Sequence, residues 1–165
     1  MDDFKITQRF GENKGPDYKD GHLGTDFMSE FGAPVKAAAN GIVVAKGTDE
    51  CPNFEQPDCN YKWGNWIMLW HPDLKIHTVY SHLKEKPYKE INEKVWQGET
   101  IGYEGGSGYQ LKLWSDGRIT QSIGDSDVHH LDFMVGVFNI YKTFEGKIDL
   151  QFIKLYDPLK ILPPK

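Results

Sequence analysis

Apolar residues recur at every second position in short runs along this chain, and Gly, Pro, Asn and Asp separate the runs. That period is the signature of half-buried β-strands, and no sustained helical period competes with it. The pattern predicts strands over 4–10 (FKITQRF), 34–38 (PVKAA), 41–47 (GIVVAKG), 65–71 (NWIMLWH), 75–82 (KIHTVYSH), 100–104 (TIGYE) and 128–137. The charged stretch 83–95 carries Pro87, which limits any helix there to a turn or two. Many short strands at this spacing point to an all-β sandwich or barrel. Two long excursions interrupt them, 48–63 and 105–127, and within the second LKLWSDGRIT reads as a hairpin turning at Asp-Gly.

Composition narrows the picture. A chain of 165 residues suits one domain spanning 1–165 and can bury a core of its own. No run approaches the ~20 apolar residues of a membrane helix. The net charge of −5, with scattered lysines, argues against binding nucleic acid through phosphates. MDDFKITQRF lacks the basic and apolar regions of a signal peptide, so either export does not use such a signal or the chain is shortened. Cys51 and Cys59 stand eight residues apart, close enough for a loop-closing disulfide in an oxidising compartment or for two reduced loop thiols.

Three constellations carry candidate chemistry. In GHLGTDF, His22 and Asp26 can reach one cation if the chain bends at Gly24, although such a pair is usually just surface polarity. In IHTVYSHL, alternation places His82 with Ile76, Thr78 and Tyr80, and His77 with Val79 and Ser81. The two histidines therefore share a face only if the strand is bulged. In VHHLDFMV, alternation groups His130, Asp132 and Met134 against His129, Leu131, Phe133 and Val135. The second set is apolar apart from His129, so His130 and Asp132 point away from the core. Taken alone, the segment reads more readily as a strand with one solvated face.

The order of these pieces resembles the lysostaphin-type zinc endopeptidases that cut peptidoglycan cross-bridges. The likeness runs through ITQRFG (6–11), GHLGTDFMSEFGAPVKAAANGIVVAKG (21–47), GNWIMLWHPDLKIHTVYSHL (64–83), VWQGETIGYEGGSG (95–108), HLDFMV (130–135) and YDPLKIL (156–162). It implies a compact, mostly antiparallel β fold with a substrate groove over one sheet and long loops. On the matching positions it implies His22 and Asp26 as metal ligands and His82 and His130 as catalytic histidines. The family's last motif reads His-Leu-His; here it is HLD, so Asp132 occupies the third ligand position. A carboxylate can bind zinc, but two carboxylates and one imidazole cancel the ion's charge and favour harder divalent ions. His129 supplies the missing imidazole only if the strand is distorted.

The resemblance thus implies a Zn2+-dependent endopeptidase, another divalent ion being an alternative, acting as a monomer on peptidoglycan peptide outside the cell or in the wall or periplasm. The competing expectation is a degenerate module of the same fold that binds peptidoglycan or a partner without cutting. A phosphocarrier role for His82 and His130 is disfavoured, because the flanking segments resemble the peptidase. Trp63, Trp66, Trp70 and Trp114 offer faces for glycan, but core packing and cross-strand pairing are their expected roles.

Overall fold

A computed structural model describes residues 4–12, 21–48, 63–113, 118–123, 128–142 and 148–161. In chain order the elements are β1 (Lys5–Gln8), β2 (Thr25–Met28), β3 (Pro34–Lys36), β4 (Gly41–Gly47), β5 (Asn65–His71), β6 (Ile76–Leu83), β7 (Lys94–Val95), β8 (Thr100–Tyr103), β9 (Tyr109–Leu113), β10 (Ile119–Ile123), β11 (Leu131–Lys142), β12 (Ile148–Tyr156) and the one-turn α1 (Pro158–Ile161). Every strand pair is antiparallel. The main sheet runs β1-β2-β11-β6-β5-β4-β7, and β12 joins it by pairing with β11. It is an open sheet, so the barrel half of the sandwich-or-barrel expectation is not realised.

Each face of this sheet carries its own cluster. On one side Val43, Ile67, Leu69, Ile76, Tyr80, Leu83, Phe133 and Val135 pack with Val35, Val95 and Ile101. Val35 and Ile101 come from the separate β3-β8 pair, which covers this face as a second layer. Across the sheet Ala45, Trp66, Met68, Val79, Met134 and Phe138 form a second cluster, with Leu23, Trp63, Leu150 and Leu155 partly covering it. The central strands are therefore buried on both faces, which is why NWIMLW reads as a nearly continuous hydrophobic run and why β6, though more polar, is buried along its whole length.

Several boundaries differ from those predicted. β2 was not expected: TDFM is short and begins with two polar residues, both buried here against neighbouring strands. β11 starts at Leu131 rather than 128, and its longer course to Lys142 is held by a β12 that the alternation did not signal. β9 and β10 pair as the expected hairpin, while its Asp-Gly turn lies outside the described residues. Cys51, Cys59 and Trp114 lie outside them too. The segment 84–93 forms no helix. Trp66 is buried and meets Trp63 edge to face, and Trp70 lies against His77, so these rings pack as expected.

Candidate metal centre

β2, β11 and β6 lie side by side, and their register sets the site. Asp132 stands opposite Asp26 on one side and opposite Ser81 on the other. Cross-strand partners project from the same face, so both carboxylates emerge beside Met134, on the face of the second cluster. Leu131, Phe133 and Val135 turn to the first cluster, as alternation requires. His22 arrives from the segment before β2. Its N–H donates to the Glu12 carbonyl (2.9 Å), and its own carbonyl accepts from Gly11 N–H (2.8 Å), which ties it to the chain leaving β1.

His22, Asp26 and Asp132 are all buried, and each offers a ligand atom within 4.8 Å of the others. His22 Nε2 lies 3.2 Å from Asp26 Oδ1 and 3.7 Å from Asp132 Oδ1. Apart from that contact of Asp26 with His22, no hydrogen-bond donor among the described residues satisfies either of these carboxylate oxygens. Buried carboxylate oxygens rarely stay unpaired, because each loses its hydration for nothing. Lone pairs that converge on a common point, rather than on donors, are what a divalent cation requires, so this donor set fits a metal.

Gly24 is part of the construction, for a reason other than the bend expected there. A Cβ on Gly24 would lie 2.2 Å from Asp132 Oδ1 and 2.8 Å from both Met134 Cγ and the Phe133 carbonyl oxygen. The glycine makes room for the carboxylate.

His82 departs from simple alternation. Asn65 pairs with Leu83 while Ile67 pairs with Tyr80, so β6 holds one extra residue at Ser81–His82. His82 has a φ of 61°, a left-handed conformation uncommon outside glycine and enriched at functional positions. The bulge takes His82 off the face of Ile76 and Tyr80 and lays its ring 4.6 Å from that of His130. His130 Nε2 is 3.7 Å from Asp26 Oδ1. The structure thus gathers all five residues singled out in the sequence: His22, Asp26, His82, His130 and Asp132.

The same bulge leaves His77 on this face of the sheet but far along β6. There it packs against Trp70 and Phe138 at centroid distances of 4.6 and 5.8 Å. His129 is also removed. It lies 2.8 Å from Glu104 Oε1 through Nδ1 and edge-on to Phe31, so it does not replace Asp132.

The electrostatics follow from burial and crowding. Burial pushes the Asp132 carboxyl up to about 7, the Asp26 charge adding to it and His22 opposing. Burial acts upward on Asp26 too, but the His22 hydrogen bond and the nearby His130 and His82 imidazoles outweigh it and hold it below its usual range. Burial acts downward on His22, and the two carboxylates overcome that to raise it. His82, fully enclosed and next to His130, drops to about 3, and burial also lowers His130. Both histidines of the pair are therefore neutral near pH 7, each with one basic nitrogen.

Two residues that the sequence did not single out support the histidines. Glu104, buried at the end of β8, accepts from Ser29 N–H, the Ser29 hydroxyl and His129 Nδ1–H. Ser107 offers its carbonyl to His82 Nδ1–H at 2.7 Å. A lone glutamate beside a Gly-Gly pair, in EGGSG, was the one available hint.

Residues 20–135 match Peptidase family M23, and the chain belongs to that family. Among curated relatives, the peptidoglycan DD-endopeptidase ShyC of Vibrio cholerae is 36% identical over 87 residues, and lysostaphin of Staphylococcus simulans is 34% identical over 88. Each alignment covers 53% of this chain but only 17% and 16% of those proteins, so the chain spans about a sixth of the relatives' length. The catalytic domain of the antimicrobial peptidase lysostaphin superimposes with a TM-score of 0.64 at 25% identity, covering 96% of this chain and 92% of that domain. A zinc-containing peptidase from Vibrio cholerae superimposes at 0.54 with 25% identity, covering 79% of this chain and 32% of the other.

Proposed function

We propose that this chain is a metal-dependent endopeptidase that cuts peptide stems or bridges of bacterial peptidoglycan, and that zinc is its metal. The observation that carries this reading is the convergence of three buried ligand atoms beside a close pair of neutral histidines. ShyC, by name a peptidoglycan DD-endopeptidase, supplies the substrate class, and lysostaphin, an antimicrobial peptidase by the name of its solved domain, agrees with it.

His22, Asp26 and Asp132 would hold the ion, which when bound polarises the scissile carbonyl and makes a water a better nucleophile. His82 Nδ1–H is committed to the Ser107 carbonyl, so Nε2 is the ring's proton-accepting atom. A neutral imidazole placed there can take the proton of an attacking water, and the imidazolium so formed, beside the His130 ring, can return that proton to the leaving amine.

The donor set carries one consequence. Two carboxylates leave a divalent ion with no net positive charge in its first ring of ligands, so it acidifies water less than a site with two imidazoles. A slower peptidase, acting at the cell wall, is the expected result. A binding module without activity would have no use for the His82–His130 pair.

The test combines metal analysis of purified protein with release of peptides from cell walls, with and without chelator. One bound ion and chelator-sensitive release are expected. Protein that binds no divalent ion and releases no peptide refutes the proposal.

A further inference from the structure

We propose that Ser107 is a positioning residue for His82, its hydroxyl anchoring the main chain so that its carbonyl holds the imidazole as the Nδ1–H tautomer. The inference rests on the reading of this site as a peptidase centre, and it concerns a residue outside the ligand and histidine set.

His82 sits where its backbone is least constrained by the sheet. The bulge removes it from regular pairing with β5, its φ is positive, and its N–H goes to the Trp63 carbonyl at 2.8 Å instead of to a ladder partner. Something must hold the ring, and on its Nδ1 side that is the Ser107 carbonyl. A carbonyl only accepts, so the bond places the proton on Nδ1 and leaves Nε2 as the one basic atom.

That carbonyl belongs to a loop residue, yet its position is over-determined. Ser107 Oγ donates to the Leu83 carbonyl at 2.6 Å and accepts from Asn65 N–H at 2.9 Å. Asn65 Nδ2 donates to the same Leu83 carbonyl at 3.2 Å. One hydroxyl thus bridges β5 and β6 at the point where the bulge ends, one residue after His82. Gly64 completes the fit: with a φ of +61°, its missing side chain leaves space that a Cβ would fill within 2.3 Å of Ser107 C and Oγ. The serine is seated against the main chain next to the bulge on two sides. Its side-chain bonds therefore set where its carbonyl points, and the carbonyl sets the His82 tautomer.

The experiment reads the tautomer, not the turnover. In zinc-loaded protein labelled with 15N at histidine, long-range 1H–15N correlations report which ring nitrogen of His82 is protonated. The wild-type protein should show a protonated Nδ1 and an unprotonated Nε2, with well-separated 15N shifts. In Ser107→Ala the separation should collapse as the tautomers interconvert, with zinc stoichiometry unchanged, and Ser107→Thr should restore it. Ser107→Cys, a near-isosteric and weaker donor, should fall between and serves if the alanine variant does not fold. A protonated Nε2 in the wild type, or an unaltered pattern in both the alanine and cysteine variants, overturns the proposal. Failure of the wild-type protein to release cell-wall peptides, with the tautomer behaving as described, would sink the peptidase reading and leave the role of Ser107 standing.

Discussion

Asp132 on β11 and Asp26 on β2 are direct cross-strand partners, so two buried carboxylates project side by side from one face of the sheet. Like charges so placed oppose folding unless a cation lies between them. The pair therefore makes sense as half of a metal centre and is a liability without one.

Asp132→Asn should separate these two effects. In chelator the variant should unfold at a higher temperature than wild type, by about 2–4 °C if the relief is near 1 kcal/mol. The sign follows from the raised Asp132 carboxyl. A folded value of about 7, above the unfolded value of 3.8, means that ionisation costs stability as pH rises between them. The advantage of the asparagine should thus be larger at pH 8 than at pH 5. With zinc present the order should reverse, because only the wild type gains stability from the ion. Thermal melts in chelator and in zinc, at both pH values, check this; an asparagine variant stabilised equally by zinc would remove Asp132 from the metal site.

Asp132→His tests the charge argument. Restoring a second imidazole should raise hydrolysis of cell wall by about tenfold or more, equivalent to ~1.4 kcal/mol off the barrier. Peptide release at saturating zinc is the measurement. Unchanged, vigorous hydrolysis would mean that the aspartate already serves without penalty.

Gly24→Ala should be among the most damaging small substitutions in the protein. Its methyl group would fall 2.2 Å from Asp132 Oδ1 and 2.8 Å from the Phe133 carbonyl oxygen. Overpacking of this kind typically costs about 1–3 kcal/mol, and the displaced carboxylate should weaken metal retention as well. Equilibrium dialysis against zinc together with denaturant unfolding measures both losses.

Glu104→Ala should leave the metal in place while loosening the ground under His130. Ser29 N–H, the Ser29 hydroxyl and His129 Nδ1–H would all lose their acceptor. Each buried donor left unpaired costs about 1–3 kcal/mol. A lower melting temperature with full zinc stoichiometry is expected; loss of zinc would instead place Glu104 closer to the metal than its contacts suggest.

Alternation along single strands carried much of the site, because a strand's two faces are a local property. It put Asp132 and Met134 on one side of β11 and Leu131, Phe133 and Val135 on the other, and the fold agrees. The motif order supplied the family. Local pattern failed where a neighbour overrules the period. His82 could not be placed by counting, because the bulge opposite Trp66 comes from how β5 and β6 pair. β2 was invisible, because TDFM is buried by strands remote in sequence and not by its own composition.

The sequence by itself therefore determined the β class, the family and the identity of the five candidate residues, all of which depend on residue type and local spacing. Only the tertiary structure decided that two carboxylates would face each other, that Gly24 exists to admit one of them, and that Glu104 takes His129 out of contention. It also decided that Ser107 would hold His82. Each of these is a contact between segments far apart in the chain, set by strand register and by the space left between packed backbones, which no periodicity along one segment encodes.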